Sequence, residues 1–166
     1  MKTKGVESIV VCFLHSYENA AHENRAAEIC RREFPEAYVV TSSQVLPNIR
    51  EYERFSSTVI SGYIGPRVVR FLSRVEKSLE GLQGSLVIMT ANGGVQTAEE
   101  VSKRAGLILN SGPSAGPVAA LSVAHTVEEE EPKFISTDMG GTSFDVCSIT
   151  SNHIPTTSSQ VFDGEI

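Results

Sequence analysis

The amino-acid sequence predicts an α/β protein, because short apolar strand segments alternate with helical segments along most of its 166 residues. The first third of the chain reads as strand, helix, strand and helix, and the last third contains two strand segments around a Gly-Gly turn. Hydrophobic residues make up 40% and charged residues 20%, which is typical of a folded globular protein. At this length we expect one sizeable hydrophobic core or parts of two.

The first two strands and the helix between them have clear boundaries. Residues 7–14 form a largely continuous apolar run, as expected for a strand that is covered on both faces. Asn19 is placed to cap the following helix, which Pro35 ends. Residues 38–41 predict the second strand. This order of elements supports the α/β class.

A long helical region follows from Pro47, because proline is favoured at the first position of a helix. Apolar side chains recur at helical spacing in this region, and we predict that they face the core. They are Ile49, Tyr52, Phe55 and Val59. Gly62, Gly65 and Pro66 interrupt this pattern, so we expect a break or kink before a second helix at residues 67–82.

The middle of the chain is predicted to contain a strand, a turn and two helices. Residues 85–90 are strand-like, and the Ala-Asn-Gly-Gly sequence at 91–94 is interpreted as a plain turn rather than as the lining of a cleft. Thr97 is expected to cap a short helix. An alanine-rich helix then runs from Pro113 to Val127, and its small residues permit close packing.

The last part of the chain reads as strand, turn and strand. Residues 128–132 are mostly acidic and predict a solvated connection rather than a metal site. After them, residues 134–137 and 144–149 are strand-like and flank the turn at 138–143.

Charge and apolar patterning exclude several classes of protein. The formal net charge is −6 and the basic residues form no cluster beyond short pairs, which argues against a nucleic-acid partner. The apolar run at residues 9–14 is too short for a signal sequence or a membrane span, so we predict a cytoplasmic protein without membrane contact. Cys12, Cys30 and Cys147 are odd in number and widely spaced, and they are interpreted as buried structural thiols.

The candidate chemistry lies at Asp138, where a buried strand is predicted to end. Gly140 and Gly141 would let the backbone turn its N–H groups toward an anion, and Thr142 and Ser143 would add hydroxyl donors. A carboxylate beside phosphates holds Mg²⁺ directly or through its waters, and we assign this role to Asp138. On spacing alone, an ordinary hairpin turn explains the same residues equally well.

A hydrolase is the rival hypothesis. Residues 112–116 match G-x-S-x-G, the nucleophile motif of α/β-hydrolases, with Ser114 as the nucleophile of a serine esterase. Asp138 or Asp145, followed by His153, would complete the order of a catalytic triad. The absence of an oxyanion-loop motif, the short chain and the polar surroundings of His153 argue against this hypothesis.

Two histidines and two arginines are weaker candidates. His15 and His22 are seven residues apart, a spacing that does not place them on one helical face, so they are interpreted as structural rather than metal-binding. Arg50 and Arg54 share a helical face and could bind a carboxylate or phosphate. The glutamates beside them favour an ordinary surface interpretation.

The segment around Asp138 closely resembles the second phosphate motif of the A-type subunits in the hydantoinase/oxoprolinase family. It reads Ser-Thr-Asp-Met-Gly-Gly-Thr-Ser-Phe-Asp-Val at residues 136–146, and it departs from the family at Phe144, where Thr is common. It also resembles the corresponding hairpin of other actin-like ATPases. Three further segments resemble the family in the same order along the chain, namely residues 11–17 with Asn19, His22 and Glu23, residues 45–54, and residues 111–116.

This resemblance implies an actin-like ATPase fold of the ribonuclease H-like type. Residues 1–127 would form most of the first lobe with its connecting helix, and residues 133–166 would begin the second lobe. The resemblance implies ATP and Mg²⁺ as cofactors, a small cyclic amide or ketone as the substrate activated by phosphorylation, and a B-type companion subunit. It implies a catalytic and metal-binding Asp138, with nucleotide bound by Gly112, Gly140, Gly141, Thr142 and Ser143.

Two parts of the family's nucleotide site have no counterpart in this sequence. They are the first phosphate loop, an Asp-x-Gly-Gly-Thr segment, and the later glycine-rich adenosine site. We therefore expect an internal piece of such an enzyme that does not turn over ATP by itself. A folded lobe that only binds a companion subunit is the non-catalytic alternative.

Overall fold

The computed structural model describes residues 5–127 and 133–156. The chain divides into two compact units: the first comprises Met1–Ile88 and Val95–Leu109, and the second comprises Met89–Gly94 and Asn110–Ile166. The second unit therefore joins the alanine-rich helix to the last two strands. The division into lobes at residues 1–127 and 133–166 of a larger enzyme remains a prediction.

Strands and helices alternate along the chain, as the sequence predicts. In order they are β1 (Ser8–Val11), α1 (Ala21–Glu33), β2 (Tyr38–Thr41), α2 (Ser42–Val45), α3 (Glu51–Ser78), β3 (Val87–Met89), β4 (Val95–Thr97), α4 (Ala98–Lys103), a 3₁₀ helix (Ala105–Ile108), α5 (Ser111–Thr126), β5 (Lys133–Met139) and β6 (Phe144–Thr150). The predicted positions of α1, β2, α5, β5 and β6 are confirmed to within a few residues. The short elements α2 and β4 were not predicted.

The first unit is built on a parallel pair of strands, in which β1 lies beside β2 with Ser8 opposite Tyr38 and Val11 opposite Thr41. Helix α1 connects them, as a parallel pair requires. The N-cap of α1 is Ala20 rather than the predicted Asn19, but the Asn19 side chain accepts a hydrogen bond from the Ala21 N–H at 2.9 Å and so stabilises the start of the helix.

Helix α3 is continuous for 28 residues, so the predicted break at Gly62, Gly65 and Pro66 is wrong. The two glycines serve close packing instead. A Cβ at residue 62 would overlap Val10 Cγ2, and a Cβ at residue 65 would overlap the Tyr38 ring. Since both contacts are with the strand pair, packing of α3 on the sheet outweighs the poor helix propensity of glycine and proline.

The apolar stripe at the start of α3 does not face the core, so this prediction is also wrong. Ile49, Tyr52 and Val59 are 69%, 58% and 56% exposed. Farther along the same helix, Val68 and Leu72 are buried in a core cluster with Ala98, Val101 and Ala105. Helical spacing alone does not reveal which turns of a long helix are covered.

The second unit contains an antiparallel hairpin of β5 and β6, with Phe134 opposite Ile149 and Asp138 opposite Asp145. Ile149 is buried in this hairpin. Among the described residues, no helix is both long and apolar enough to cross a membrane.

We expect Gly62→Ala to destabilise this chain, although alanine favours a helix over glycine by about 1 kcal/mol. The added methyl would overlap Val10 Cγ2, and overpacking of this kind costs about 1–3 kcal/mol. Urea denaturation followed by circular dichroism measures the free energy of unfolding. Ser73→Ala, at an exposed position of α3, is the matched control and should be neutral or slightly stabilising. A higher unfolding midpoint for Gly62→Ala would contradict the close contact.

Candidate functional site

Asp138 lies near the end of β5, beside the turn that connects the two hairpin strands. The Gly140 N–H donates to the Ser143 carbonyl at 3.1 Å, which closes the turn. The Ser143 hydroxyl donates to Asp145 Oδ2 at 2.9 Å, so this second carboxylate is engaged inside the hairpin. The carboxylate of Asp138 makes no hydrogen bond or ion pair with any residue that the structure describes, and the side chain is exposed.

The two turn glycines leave open space around them, and the anion nest expected there remains a prediction. A Cβ built on Gly140 or Gly141 meets no atom within 4 Å, so a ligand can approach the backbone closely here. Neither glycine has a positive φ. The turn therefore lacks the type of nest in which right-handed and left-handed residues alternate, whereas a nest made by successive N–H groups of a turn does not require a positive φ.

Helix α5 brings its first turns against the hairpin. A Cβ at Gly116 would lie 3.9 Å from Cβ and Oδ2 of Asp138, an ordinary van der Waals distance, so this turn of the helix lies directly beside the carboxylate. Gly112, one residue into the helix, is surrounded by open space. Thus Asp138, the hairpin turn and the start of α5 belong to one compact unit.

The turn at residues 90–94 belongs to the same unit, and its connections were not predicted. The buried Thr90 hydroxyl donates to Asn92 Oδ1 at 2.5 Å and is also 3.0 Å from the Gly94 carbonyl oxygen. The Gly94 N–H donates to Asn92 Oδ1 at 3.2 Å. From α5, the Ser114 hydroxyl donates to the Ala91 carbonyl at 2.7 Å. The sequence marked the turn, but no sequence signal connects it to Ser114.

The hydrolase hypothesis is not supported by the structure. Its nucleophile motif requires a sharp turn between a strand and a helix, whereas residues 112–116 all lie within α5. The Ser114 hydroxyl is 2.7 Å from the Ala91 carbonyl and 3.0 Å from the Asn110 carbonyl. His153 pairs through its backbone with Thr150. Ser114 is therefore a structural donor here, with no base beside it among the described residues.

A buried polar network lies in the first unit, around the completely buried Glu23. Its carboxylate accepts hydrogen bonds from the Phe13 N–H at 2.8 Å, the Ser42 hydroxyl at 2.6 Å and the Ser43 N–H at 2.8 Å. Ser16 adds a hydroxyl 3.0 Å from that of Ser42. The carboxylate therefore ties the end of β1 to the start of α2.

Arg54 completes this network, and its surface interpretation is wrong because the residue is fully buried. Its guanidinium donates to Ser42 Oγ at 3.1 Å, to the Asn48 carbonyl at 3.0 Å and to the Phe13 carbonyl at 3.0 Å. It also lies over the Tyr17 ring, 5.4 Å from the centroid. By contrast, Arg50 is exposed and 3.6 Å from Glu53, as predicted.

Hydrogen bonding controls the charge state of Glu23. Burial alone raises the pKa of this carboxyl group, but the donors at Ser42, Ser43 and Phe13 outweigh burial and hold the pKa below its usual value. The carboxylate is therefore ionised at neutral pH. Nearby, burial raises the pKa of the Cys12 thiol, with a smaller contribution from the charge of Glu23.

The remaining candidates form no metal site. His15 and His22 are both exposed, so neither is a buried structural histidine. Residues 5–127 and 133–156 contain no cluster of three His, Cys, Asp or Glu side chains that could hold a metal ion. The three cysteines are free and half-buried rather than fully buried. Asp138 is thus a lone carboxylate that would need phosphate or water oxygens to complete a metal site.

Family models and relatives of known sequence match this chain over most of its length. The hydantoinase/oxoprolinase model matches residues 54–166, and the model of the hydantoinase/oxoprolinase N-terminal region matches residues 1–34. An uncharacterized protein of Methanocaldococcus jannaschii is 34% identical over 168 residues, covering 100% of this chain and 24% of that protein. The caprolactamase subunit alpha of Pseudomonas jessenii is 36% identical over 143 residues, covering 85% of this chain and 20% of the relative.

Solved structures confirm the α/β fold. The crystal structure of the ATP-dependent caprolactamase from P. jessenii matches 89% of this chain and 21% of its own chain, with a TM-score of 0.74 and 34% identity. The nucleotide-free structure of an acetone carboxylase matches 91% of this chain and 22% of its own, with a TM-score of 0.73 and 26% identity. The chain spans a quarter or less of the length of these relatives.

We expect Glu23→Gln to lower stability at pH 7 and to flatten its dependence on pH. The folded-state pKa lies below the unfolded value of about 4.3, so Glu23 contributes stability above that value and loses it as pH falls through the folded pKa. The amide nitrogen of glutamine would face the Ser42 and Phe13 donors or the Ser43 donor. Urea denaturation from about pH 2 to pH 7 covers the range in which this contribution is lost, with the exposed Glu28→Gln on α1 as control. Parallel curves for wild type and Glu23→Gln would contradict the role of the carboxylate.

Proposed function

This chain belongs to the hydantoinase/oxoprolinase family, and we propose that it supplies a phosphate-binding hairpin to an ATP-dependent enzyme acting on amide or carbonyl compounds. In this proposal, ATP activates a small cyclic amide or a ketone by phosphorylation. The names of two relatives support it, since one is an ATP-dependent caprolactamase and the other carries out ATP-dependent acetone carboxylation.

The free carboxylate of Asp138 is the observation that carries this proposal. It stands at a strand end beside an open turn and beside the glycine face of α5, with no partner among the described residues. A carboxylate placed next to polyphosphate needs a cation between the two negative groups. Mg²⁺ suits this position, because it binds one or two carboxylates together with phosphate oxygens and waters. Asp138 would hold that ion and thereby orient the phosphoryl group that is transferred.

The hairpin turn would supply the donors to the phosphate oxygens. The N–H of Gly140 is used inside the turn, whereas those of Gly141 and Thr142 have no bonded acceptor among the described residues. The Thr142 hydroxyl is exposed beside them, and the exposed Ser143 hydroxyl would have to exchange its bond to Asp145 for one to a phosphate oxygen. Gly112 would let the first turn of α5 approach the nucleotide. Such fixed donors stabilise charge that develops on a phosphoryl group during transfer.

A companion subunit of the B type is part of this proposal. The caprolactamase relative is named as a subunit, so an enzyme of this kind works with other chains. The exposed apolar side chains on α3, including Tyr52, Val59 and Tyr63, provide a surface suited to a protein contact.

We expect Asp138→Asn to raise the Kd for Mg-ATP about tenfold or more, because it removes the charge that holds the ion; losses of this size follow loss of a supporting group at a metal site. Isothermal titration calorimetry measures the Kd, both with this chain and with a version extended to the length of its relatives. Asp145→Asn is the matched control on the facing strand, since its carboxylate is engaged by Ser143. We expect Asp145→Asn to change the Kd by less than about threefold.

Hydrolysis of ATP by the extended version tests the reaction class. The panel of compounds comprises 5-oxoproline, hydantoin, caprolactam, and acetone with bicarbonate. At least one should stimulate phosphate release in the wild type, and none should do so in Asp138→Asn. Equal nucleotide binding by the wild type and Asp138→Asn would refute the assignment of this hairpin, and failure of the wild type to bind Mg-ATP would refute the proposed function.

A further inference from the structure

The solvent-facing side of the second half of α3 is strongly basic. Four exposed cations follow one another at intervals of three and four residues, and they are Arg67, Arg70, Arg74 and Lys77. This spacing places them along one side of the helix over a length of about 15 Å, and together they form what we call the basic surface. Residues 54–75 contain no Asp or Glu. The side chains of Glu76 and Glu80, which follow, form no ion pair with any described residue.

Folding of the chain does not account for this concentration of like charge. Arg70 lies 3.1 Å from Glu7, but both side chains are exposed, and such pairs contribute little to stability. Arg67, Arg74 and Lys77 have no side-chain partner in the described part of the chain. A cation in the last turn, such as Lys77, interacts favourably with the helix dipole, but Arg67 and Arg70 lie two turns or more before the helix ends. Like charges at this spacing destabilise a helix.

An open apolar hollow adjoins the basic surface. It has a volume of about 290 Å³ and is lined by Phe71, Arg74, Val75, Ser78 and Leu79. Phe71 is 52% exposed, so its ring is accessible to a partner. Arg74 belongs to both the hollow and the basic surface, whereas Glu76 lines the neighbouring hollow beyond Leu79. Exposed aromatic and arginine side chains are the types that carry most of the binding energy at protein interfaces.

We propose that the basic surface and the apolar hollow bind an acidic segment of the companion subunit. Carboxylates of that segment pair with the four cations, and one of its apolar side chains fills the hollow beside Phe71. This inference rests on the proposed function, because it names the surface and the chemistry that hold the companion subunit proposed there.

The charge of the whole chain favours a short acidic segment over an extended polyanion. The formal net charge is −6, so a nucleic acid or an anionic membrane would also lie against acidic parts of the protein. An acidic segment about 15 Å long contacts only the basic surface. The hollow adds an apolar contact, which is typical of the centre of a protein–protein interface and offers nothing to a phosphate.

Reversal of two charges tests the inference. The variant Arg67→Glu/Arg74→Glu changes two cations that have no described partner to lose. Its matched control is Arg25→Glu/Arg32→Glu on α1, which changes the net charge equally, at the same spacing and at exposed positions. Biolayer interferometry measures the Kd between the extended version and the purified companion subunit at about 50 mM and about 300 mM salt, which screen charges weakly and strongly. Urea denaturation shows whether each variant is folded.

We expect Arg67→Glu/Arg74→Glu to raise the Kd at low salt by at least about tenfold, because two attractions become repulsions. The control variant should change the Kd by less than about threefold. Higher salt should weaken binding of the wild type more than binding of the variant. Phe71→Ala should raise the Kd by about fivefold or more at both salt concentrations, because loss of an aromatic contact is not screened by salt.

Lys77 gives a direct test of the acidic partner. A carbodiimide joins a lysine amine to a carboxylate that lies against it, with loss of water. Mass spectrometry of the treated complex should find Lys77 joined to an Asp or Glu of the companion subunit. Lys77→Arg keeps the positive charge, so it should remove this cross-link and change the Kd by less than about threefold. Cross-links between the two chains that use other lysines and never Lys77 would overturn the inference.

The outcomes separate this inference from the proposed function. Equal companion binding by the wild type and Arg67→Glu/Arg74→Glu overturns the inference and leaves the nucleotide site standing. Binding of duplex DNA or phosphatidylserine vesicles through these cations, with the companion bound elsewhere, also overturns it. So does a lower unfolding midpoint of that variant with companion binding intact, because the rest of the extended chain would then cover the surface. If the wild type binds the companion but no Mg-ATP, the proposed function falls and this contact stands.

Discussion

The hydrogen-bonded contact of Glu23 and Arg54 through the hydroxyl of Ser42 is the interaction on which the first unit depends. Both charged groups are completely buried, and a buried charge that loses its partner destabilises a protein by about 3–5 kcal/mol. Several of their bonds join segments that are distant in sequence, since Glu23 bonds Ser42 and Ser43 at the start of α2, and Arg54 bonds Phe13 after β1. The loop after β1 and the loop before α3 are thus held by charge rather than by apolar packing.

In the second unit, by contrast, the charged group is exposed and unpaired among the described residues. Asp138 is exposed, has no partner among the described residues and stands beside glycines that leave space around it. A protein gains no stability from such an arrangement, since an exposed and unpaired carboxylate makes no net contribution to folding. Its placement makes sense for ligand binding. The buried polar groups of the first unit therefore stabilise the fold, whereas the exposed carboxylate of the second unit is available for the proposed chemistry.

Helix capping and strand patterns predicted the elements well where the local conformation depends only on residues that are neighbours in the sequence. Thr97 caps α4 as expected, Asn19 bonds the first turn of α1 from one residue before its N-cap, and β2 begins and ends where its predicted segment does. Prediction failed where distant contacts decide. Gly62, Gly65 and Pro66 were expected to break α3, yet the sheet packs against the two glycines and the helix continues. Likewise, Arg54 looked like a surface residue because its partners Ser42, Asn48 and Phe13 are not helix neighbours.

The sequence by itself determined the α/β class, the family and the identity of the hairpin that carries Asp138, because these depend on residue types at short, fixed spacings. Only the tertiary structure determines which polar groups form hydrogen bonds within the protein and which remain available to a ligand. It buried Glu23 and Arg54, bonded the Ser114 hydroxyl to the Ala91 carbonyl and left the Asp138 carboxylate without a partner among the described residues. Hydrogen bonds across long sequence separations set these outcomes, and spacing along the chain carries no information about such partners.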